Sequence, residues 1–136
     1  MFRKSGKKVD WLADVSFFEG FSPEQLQRVA NLGDEVDVDA GTVLVDQGDP
    51  GLDCYVVVEG TASVLVAGEH IASIDEGSMI GEMALVDHRP RNATVVADTP
   101  MRLLRLKASA FRTLLDEMPK ASERVMALLT ARLKRS

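Results

Sequence analysis

The spacing of apolar residues changes period twice along the chain. It is helical from Val9 to Leu32, two-fold or in short blocks from Val36 to Leu106, and helical again from Phe111 to Leu133. The first helical part predicts a short helix over Val9–Val15, a turn that buries the aromatics of Phe17-Phe18-Glu19-Gly20-Phe21, and a second helix from Pro23. Ser22, Pro23 and Gln25 supply a cap, a first-turn proline and a capping-box partner, with Phe21 and Leu26 at the staple positions. Leu26, Val29 and Ala30 form its inward stripe, and Gly33 its stop.

In the central part, Val36, Val38 and Ala40 alternate with Glu35, Asp37 and Asp39, the mark of a half-buried strand. Gly41 breaks it and Thr42-Val43-Leu44-Val45 resumes. Gln47-Gly48-Asp49-Pro50-Gly51 is dense in turn formers. Cys54–Val58 reads as a central strand ending at Glu59-Gly60, and Ala62, Val64 and Val66 alternate on the next. Ala67-Gly68 makes a tight hairpin into His70–Ile74, Asp75-Glu76-Gly77 turns again, and Ala93–Ala97 and Met101–Leu106 close the array. Many short strands punctuated by glycine predict a mainly β fold with flanking helices, an antiparallel jelly roll with a helical lead-in and two C-terminal helices. Phe111, Leu114, Leu115 and Met118 mark the first of those helices, and Val125, Leu128, Leu129 and Leu133 the second. On the second, Arg124, Arg132 and Lys134 fall towards solvent.

Composition narrows the function classes. A chain of 136 residues holds one domain with a real core. A net charge of −5 argues against a general nucleic-acid binder, so no DNA partner is expected. Cys54 is the single cysteine, excluding an internal disulfide, and sits in an apolar strand far from any recognisable base. No stretch reaches the ~20 apolar residues of a membrane span, and the basic N-terminus lacks the apolar core of a signal peptide, so a cytoplasmic protein is expected. His70 and His88 lack the close spacing of a metal-ligand set, and no Ser/His/Asp array or P-loop occurs; the chain is read as a non-enzyme.

The chemistry gathers between Gly77 and Asp98. A glycine and a carboxylate, Gly81-Glu82, open the short apolar run Met83-Ala84-Leu85, and Arg91 follows six residues later with Asn92-Ala93-Thr94-Val95. A helix start offers free N–H groups to an anion, and a guanidinium can close on the same anion. These residues resemble the phosphate-binding cassette of cyclic nucleotide-binding domains, the family of protein kinase A regulatory subunits, cyclic-nucleotide-gated channels and catabolite activators. Gly41-Thr42-Val43-Leu44 with Asp46-Gln47-Gly48-Asp49, and the strand and turn from Asp53 to Gly60, are similar to further segments of that family. The resemblance spans roughly residues 12 to 132.

It implies a single domain over 1–136: a helical segment (1–33), a β-roll (34–107) with the cassette at 80–95, and two helices (108–136). The ligand-binding residues it implies are Ile80, Gly81, Glu82, Met83, Ala84, Arg91, Asn92 and Ala93. Main-chain amides of Met83 and Ala84 would face the phosphate, Arg91 would supply the counter-charge, and Glu82 would accept the ribose 2′-hydroxyl. Gly81 permits close backbone approach, and Ile80 stands where many members have Phe. Asn92 fits neither the cAMP nor the cGMP pattern; cAMP is favoured on bacterial precedent, with cGMP the alternative. Arg132 and Arg135 are candidates by position for covering the base. The implied function is a stand-alone sensor, without a cofactor, that passes occupancy through its C-terminal helices to a protein partner or to a second copy. The alternatives are a nucleotide-independent interaction domain and a domain excised from a larger regulator.

Overall fold

The computed structural model describes residues 8–50, 53–81 and 91–135, with side chains from Asp10 to Ala127 within those spans. Local chemistry explains its first elements. Helix α1 (Lys8–Ala13) and a 3₁₀ turn (Ser16–Phe18) turn Leu12, Val15, Phe17 and Phe18 inward. Phe18 meets Phe17 and Phe21 edge-on, with ring centroids 5.3 and 5.4 Å apart. Helix α2 (Pro23–Leu32) opens with the capping box: Gln25 N–H donates to Ser22 Oγ at 3.2 Å and Ser22 N–H to Gln25 Oε1 at 2.8 Å. Gly33 ends this helix for a reason that spacing does not show. Its φ of −103° is open to any residue. A Cβ there, however, would stand 2.8 Å from Leu104 Cδ1. Packing on a distant strand requires the glycine.

Among the described residues eight strands follow: β1 (Asp34–Val38), β2 (Val43–Val45), β3 (Asp53–Glu59), β4 (Ala62–Val66), β5 (Glu69–Ile74), β6 (Met79–Ile80), β7 (Thr94–Ala97) and β8 (Met101–Lys107). They form two antiparallel four-stranded sheets, in the orders β1-β8-β3-β6 and β2-β7-β4-β5. The Ala67-Gly68 hairpin forms with both residues at positive φ, 51° and 83°, the twist a two-residue turn needs. The two-residue strand β6 has no signal in the apolar spacing, because it is too short to show a period. Ala40 lies beyond β1 and is exposed.

The molecule has three layers, which explains why β3 reads as a nearly continuous apolar run and why β8 buries Met101, Leu103, Leu104 and Leu106 on both of its faces. Cys54, Val56, Leu104 and Leu106 face the helices and join Phe18, Val29 and Phe111 in one core. Val57, Met101 and Leu103 face the second sheet and join Ala62, Ile80, Val95 and Ala97 in another. A strand buried on both faces has no polar side to alternate with.

Helices α3 (Ala108–Glu117) and α4 (Pro119–Arg135) cap the first sheet through Phe111, Leu114, Met118, Ala121 and Val125. Arg28 on α2 grips Glu117 on α3 with two bonds of 2.8 Å. That hydrogen bond, with the guanidinium charge, holds the Glu117 carboxyl below the usual range. Spacing turns Arg124 to solvent, but the structure engages it. Its Nη1 donates to the carbonyls of Ser16 (3.0 Å) and Phe17 (3.2 Å), and its Nη2 to that of Glu19 (2.7 Å). Lys120 donates to the carbonyl of Gly20. Helix α4 thus supplies cations to the carbonyl end of the 3₁₀ turn, the favourable pole for positive charge. The side chains of Leu128, Leu129, Arg132, Leu133, Lys134 and Arg135 lie outside the described residues. Among the described residues no helix is long and apolar enough to cross a membrane.

Leu104 is 1% exposed at the contact between sheet and helices. Leu104→Ala is expected to lower unfolding free energy by about 2–5 kcal/mol in chemical denaturation, through lost burial and the cavity left behind. Ile71→Ser, on the exposed edge strand β5, is expected to stay within about 0.5 kcal/mol of wild type.

Candidate functional site

Arg91 stands at the entrance to β7 with only 7% of its surface exposed. Its main chain is fixed to the turn between β2 and β3: Arg91 N–H donates to the Asp49 carbonyl at 2.8 Å, and Gly48 N–H donates to the Arg91 carbonyl at 2.8 Å. That turn is itself strapped down. Thr94 Oγ1 donates to Asp46 Oδ1 and accepts from Gln47 N–H, both at 2.9 Å. Gln47 Oε1 accepts from Ala67 N–H at 3.0 Å, tying the turn to the β4–β5 hairpin. The turn-former run 46–49 therefore serves as a brace for the arginine.

The guanidinium reaches across to two other segments. Its Nη1 donates to the Gly81 carbonyl at 2.7 Å and its Nη2 to the carbonyl of Asp53, at the start of β3. Gly81 has φ +85°, a conformation that L side chains rarely adopt. A Cβ built on it would fall 2.2 Å from Arg91 Nη1. The glycine is thus required twice, by its backbone and by the arginine lying on it. These two residues, ten apart in sequence, are the pair of expected site residues that the structure joins by a hydrogen bond.

The other expected residues are distributed differently. Ile80 is 3% exposed and packs between the sheets, a supporting position behind the site. Asn92 is exposed and Ala93 half-buried. Glu82, Met83 and Ala84 lie outside the described residues.

Arg91 forms one wall of a cavity of about 360 Å³, whose described lining is Val43, Leu44 and Val45 of β2, Asp46, Asp49 and Pro50 of the turn, and Asp53 and Tyr55 of β3. This size suits a small ligand, with an apolar wall facing a buried cation. Burial and then the charge of Asp53 push the Tyr55 phenol above its ordinary value, so it stays neutral near pH 7 and can donate a hydrogen bond. Asp46 and Asp49 of this wall were not among the expected ligand residues, although they belong to a segment that resembles the family. Val43, Leu44 and Tyr55 lie in family-like segments too, but their place in the wall could not be read from spacing, because it depends on how the two sheets close.

A second cavity, of about 330 Å³, lies between the 3₁₀ turn and α4, lined by Val15, Ser16, Phe17, Gly77, Met79, Arg124 and Ala127. Gly77 and Met79 lead directly into Gly81 along β6. The strand that delivers one half of the first site thus borders the helix that ends the chain.

Comparison with known proteins agrees with this architecture. Residues 35–118 match the family model described as the cyclic nucleotide-binding domain. The chain is 36% identical over 112 residues to a cyclic nucleotide-gated potassium channel of Mesorhizobium japonicum, covering 82% of this chain and 31% of that protein. It is 31% identical over 107 residues to a cAMP-dependent protein kinase regulatory subunit of Emericella nidulans, covering 77% of this chain and 26% of that one. The chain therefore spans under a third of the length of these curated relatives. Among solved structures, the catabolite activator protein of Thermus thermophilus superposes with a TM-score of 0.79 at 27% identity, over 88% of this chain and 58% of that one. A family match that runs from β1 to the end of α3, on this pair of antiparallel sheets, establishes that the chain belongs to the cyclic nucleotide-binding domain family.

Proposed function

We propose that the cavity beside Arg91 binds a cyclic nucleotide, with cAMP favoured, and that occupancy is passed on through α3 and α4 to a protein partner or a second copy. The domain acts as a regulatory binding module, not an enzyme. The observation that carries this reading is the pairing of a nearly buried guanidinium, at the wall of a cavity of ligand size, with a glycine in the left-handed conformation. Among the described residues Arg91 spends one bond on each of two carbonyls, and a guanidinium has five N–H donors, enough to serve a phosphate oxygen as well. Burial strengthens that attraction by excluding water.

The ligand residues of this reading are Gly81, Glu82, Met83, Ala84, Arg91, Asn92 and Ala93, with Ile80 supporting them from the core behind. Gly81 lets the main chain approach the phosphate, amides of Met83 and Ala84 complete the cradle, and Glu82 accepts the ribose 2′-hydroxyl. The β2 residues Val43 and Leu44 offer the apolar surface on which a planar base can rest. Transmission is supported by the second cavity. Any displacement of Gly81 towards ligand shifts Met79 and Gly77, which border Arg124 and Ala127 of α4. A ligand moves an equilibrium only by its differential affinity for the two arrangements. Arg124, with three carbonyl contacts, is the grip that a shift of α4 would have to break or remake.

Calorimetric titration with cAMP and cGMP tests the reading; absence of heat at millimolar ligand overturns it. Arg91→Ala is expected to cost about 2–5 kcal/mol of binding and to abolish ligand-induced thermal stabilisation. Gly81→Ala is expected to weaken cAMP binding strongly, since the methyl group and the guanidinium cannot share one place. Arg124→Ala is expected to leave cAMP in its site while accelerating amide exchange in α4, measured by hydrogen–deuterium exchange with and without ligand.

A further inference from the structure

Among its described residues, the wall of the proposed nucleotide cavity carries more negative than positive side chains. Its described lining holds three carboxylates, Asp46, Asp49 and Asp53, against one guanidinium, Arg91. Arg105, opposite Tyr55 in the strand register, is outside that lining and pairs with Asp34 at 3.5 Å. Among the described residues no group of three or more acidic, histidine or cysteine side chains is arranged to hold a metal ion, so the aspartates do not assemble as a cation site.

On the reading that this cavity takes a cyclic nucleotide, we infer that Asp46 and Asp49 are specificity-determining residues that select a monoanionic cyclic phosphate against open-chain nucleotides of higher charge. A cyclic phosphodiester carries one negative charge. A terminal phosphate such as that of 5′-AMP carries about 1.5 to 2 at neutral pH, and ATP carries more. Arg91 attracts all of them at short range. The surrounding carboxylates repel each in proportion to its charge, so the penalty grows from cAMP to AMP to ATP while the base and sugar stay the same. This is discrimination by an element that disfavours the wrong ligand. Asp46 and Asp49 are exposed at the turn, so they act through solvent at moderate strength. Each contributes roughly a twofold preference per extra unit of ligand charge at low salt, and the effect fades as the Debye length shortens.

The test compares cAMP with 5′-AMP by displacement of a fluorescent cyclic nucleotide, in wild type and in Asp46→Asn/Asp49→Asn. Asparagine keeps the oxygen that accepts from Thr94 and leaves the main-chain clamp on Arg91 intact. The double variant is expected to narrow the cAMP/AMP affinity ratio about two- to fourfold at 50 mM salt, with a larger change for ATP. In wild type alone, raising salt from 50 to 500 mM is expected to narrow the same ratio, a measurement independent of how the variant folds. A ratio that moves with neither salt nor substitution overturns the inference and assigns discrimination to shape alone. Absence of cAMP binding to the wild-type protein overturns the nucleotide reading and this inference together.

Discussion

The structure depends on how one buried cation is held. Arg91 is enclosed by three chain segments that are remote in sequence: the turn after β2, the start of β3 and the end of β6. Each contributes main-chain groups, so the arginine is positioned by backbone geometry and not by a partner side chain among its described bonds. Burying a guanidinium costs solvation that only well-placed acceptors offset. The carbonyls of Gly81 and Asp53 supply acceptors of that kind.

The other features of the site follow from that demand. Gly81 has no side chain because the arginine occupies the space where one would stand. The turn at 46–49 is braced by Thr94 and by the β4–β5 hairpin because it must hold Arg91 at both main-chain atoms. The three-layer arrangement gives the site a rigid backing. Ile80 packs between the sheets directly before Gly81, and β6 pairs with β3, which is buried on both faces. A site on such a frame is pre-organised, and pre-organisation lowers the ordering cost of binding.

The helices add a second constraint. Arg124 and Lys120 of α4 hold the carbonyl end of the 3₁₀ turn, so the first and last parts of the chain are joined by cation-to-carbonyl contacts over a shared apolar core. The cavity beside them leaves space that β6 and α4 both border. The family match and the fold make the chain a cyclic nucleotide-binding domain.

Much of the chain was legible without coordinates, and the reason is periodicity and local chemistry. The capping box at Ser22 and Gln25, the alternation of β1 and β4 and the helical stripe from Phe111 to Met118 all express rules that act within a few residues. The Gly81…Arg91 motif was legible too, since it fixes residue types at a set spacing. What spacing left open was whatever depends on packing between distant segments. Gly33 is a glycine because of Leu104, Arg124 is held by carbonyls a hundred residues earlier, and β6 is too short to carry a period. The wall formed by Val43, Leu44, Val45 and Tyr55 exists only because two sheets close over Arg91. Local sequence chose the elements and named the arginine. Tertiary structure alone decided what surrounds it, because contacts across the layers follow no spacing along the chain.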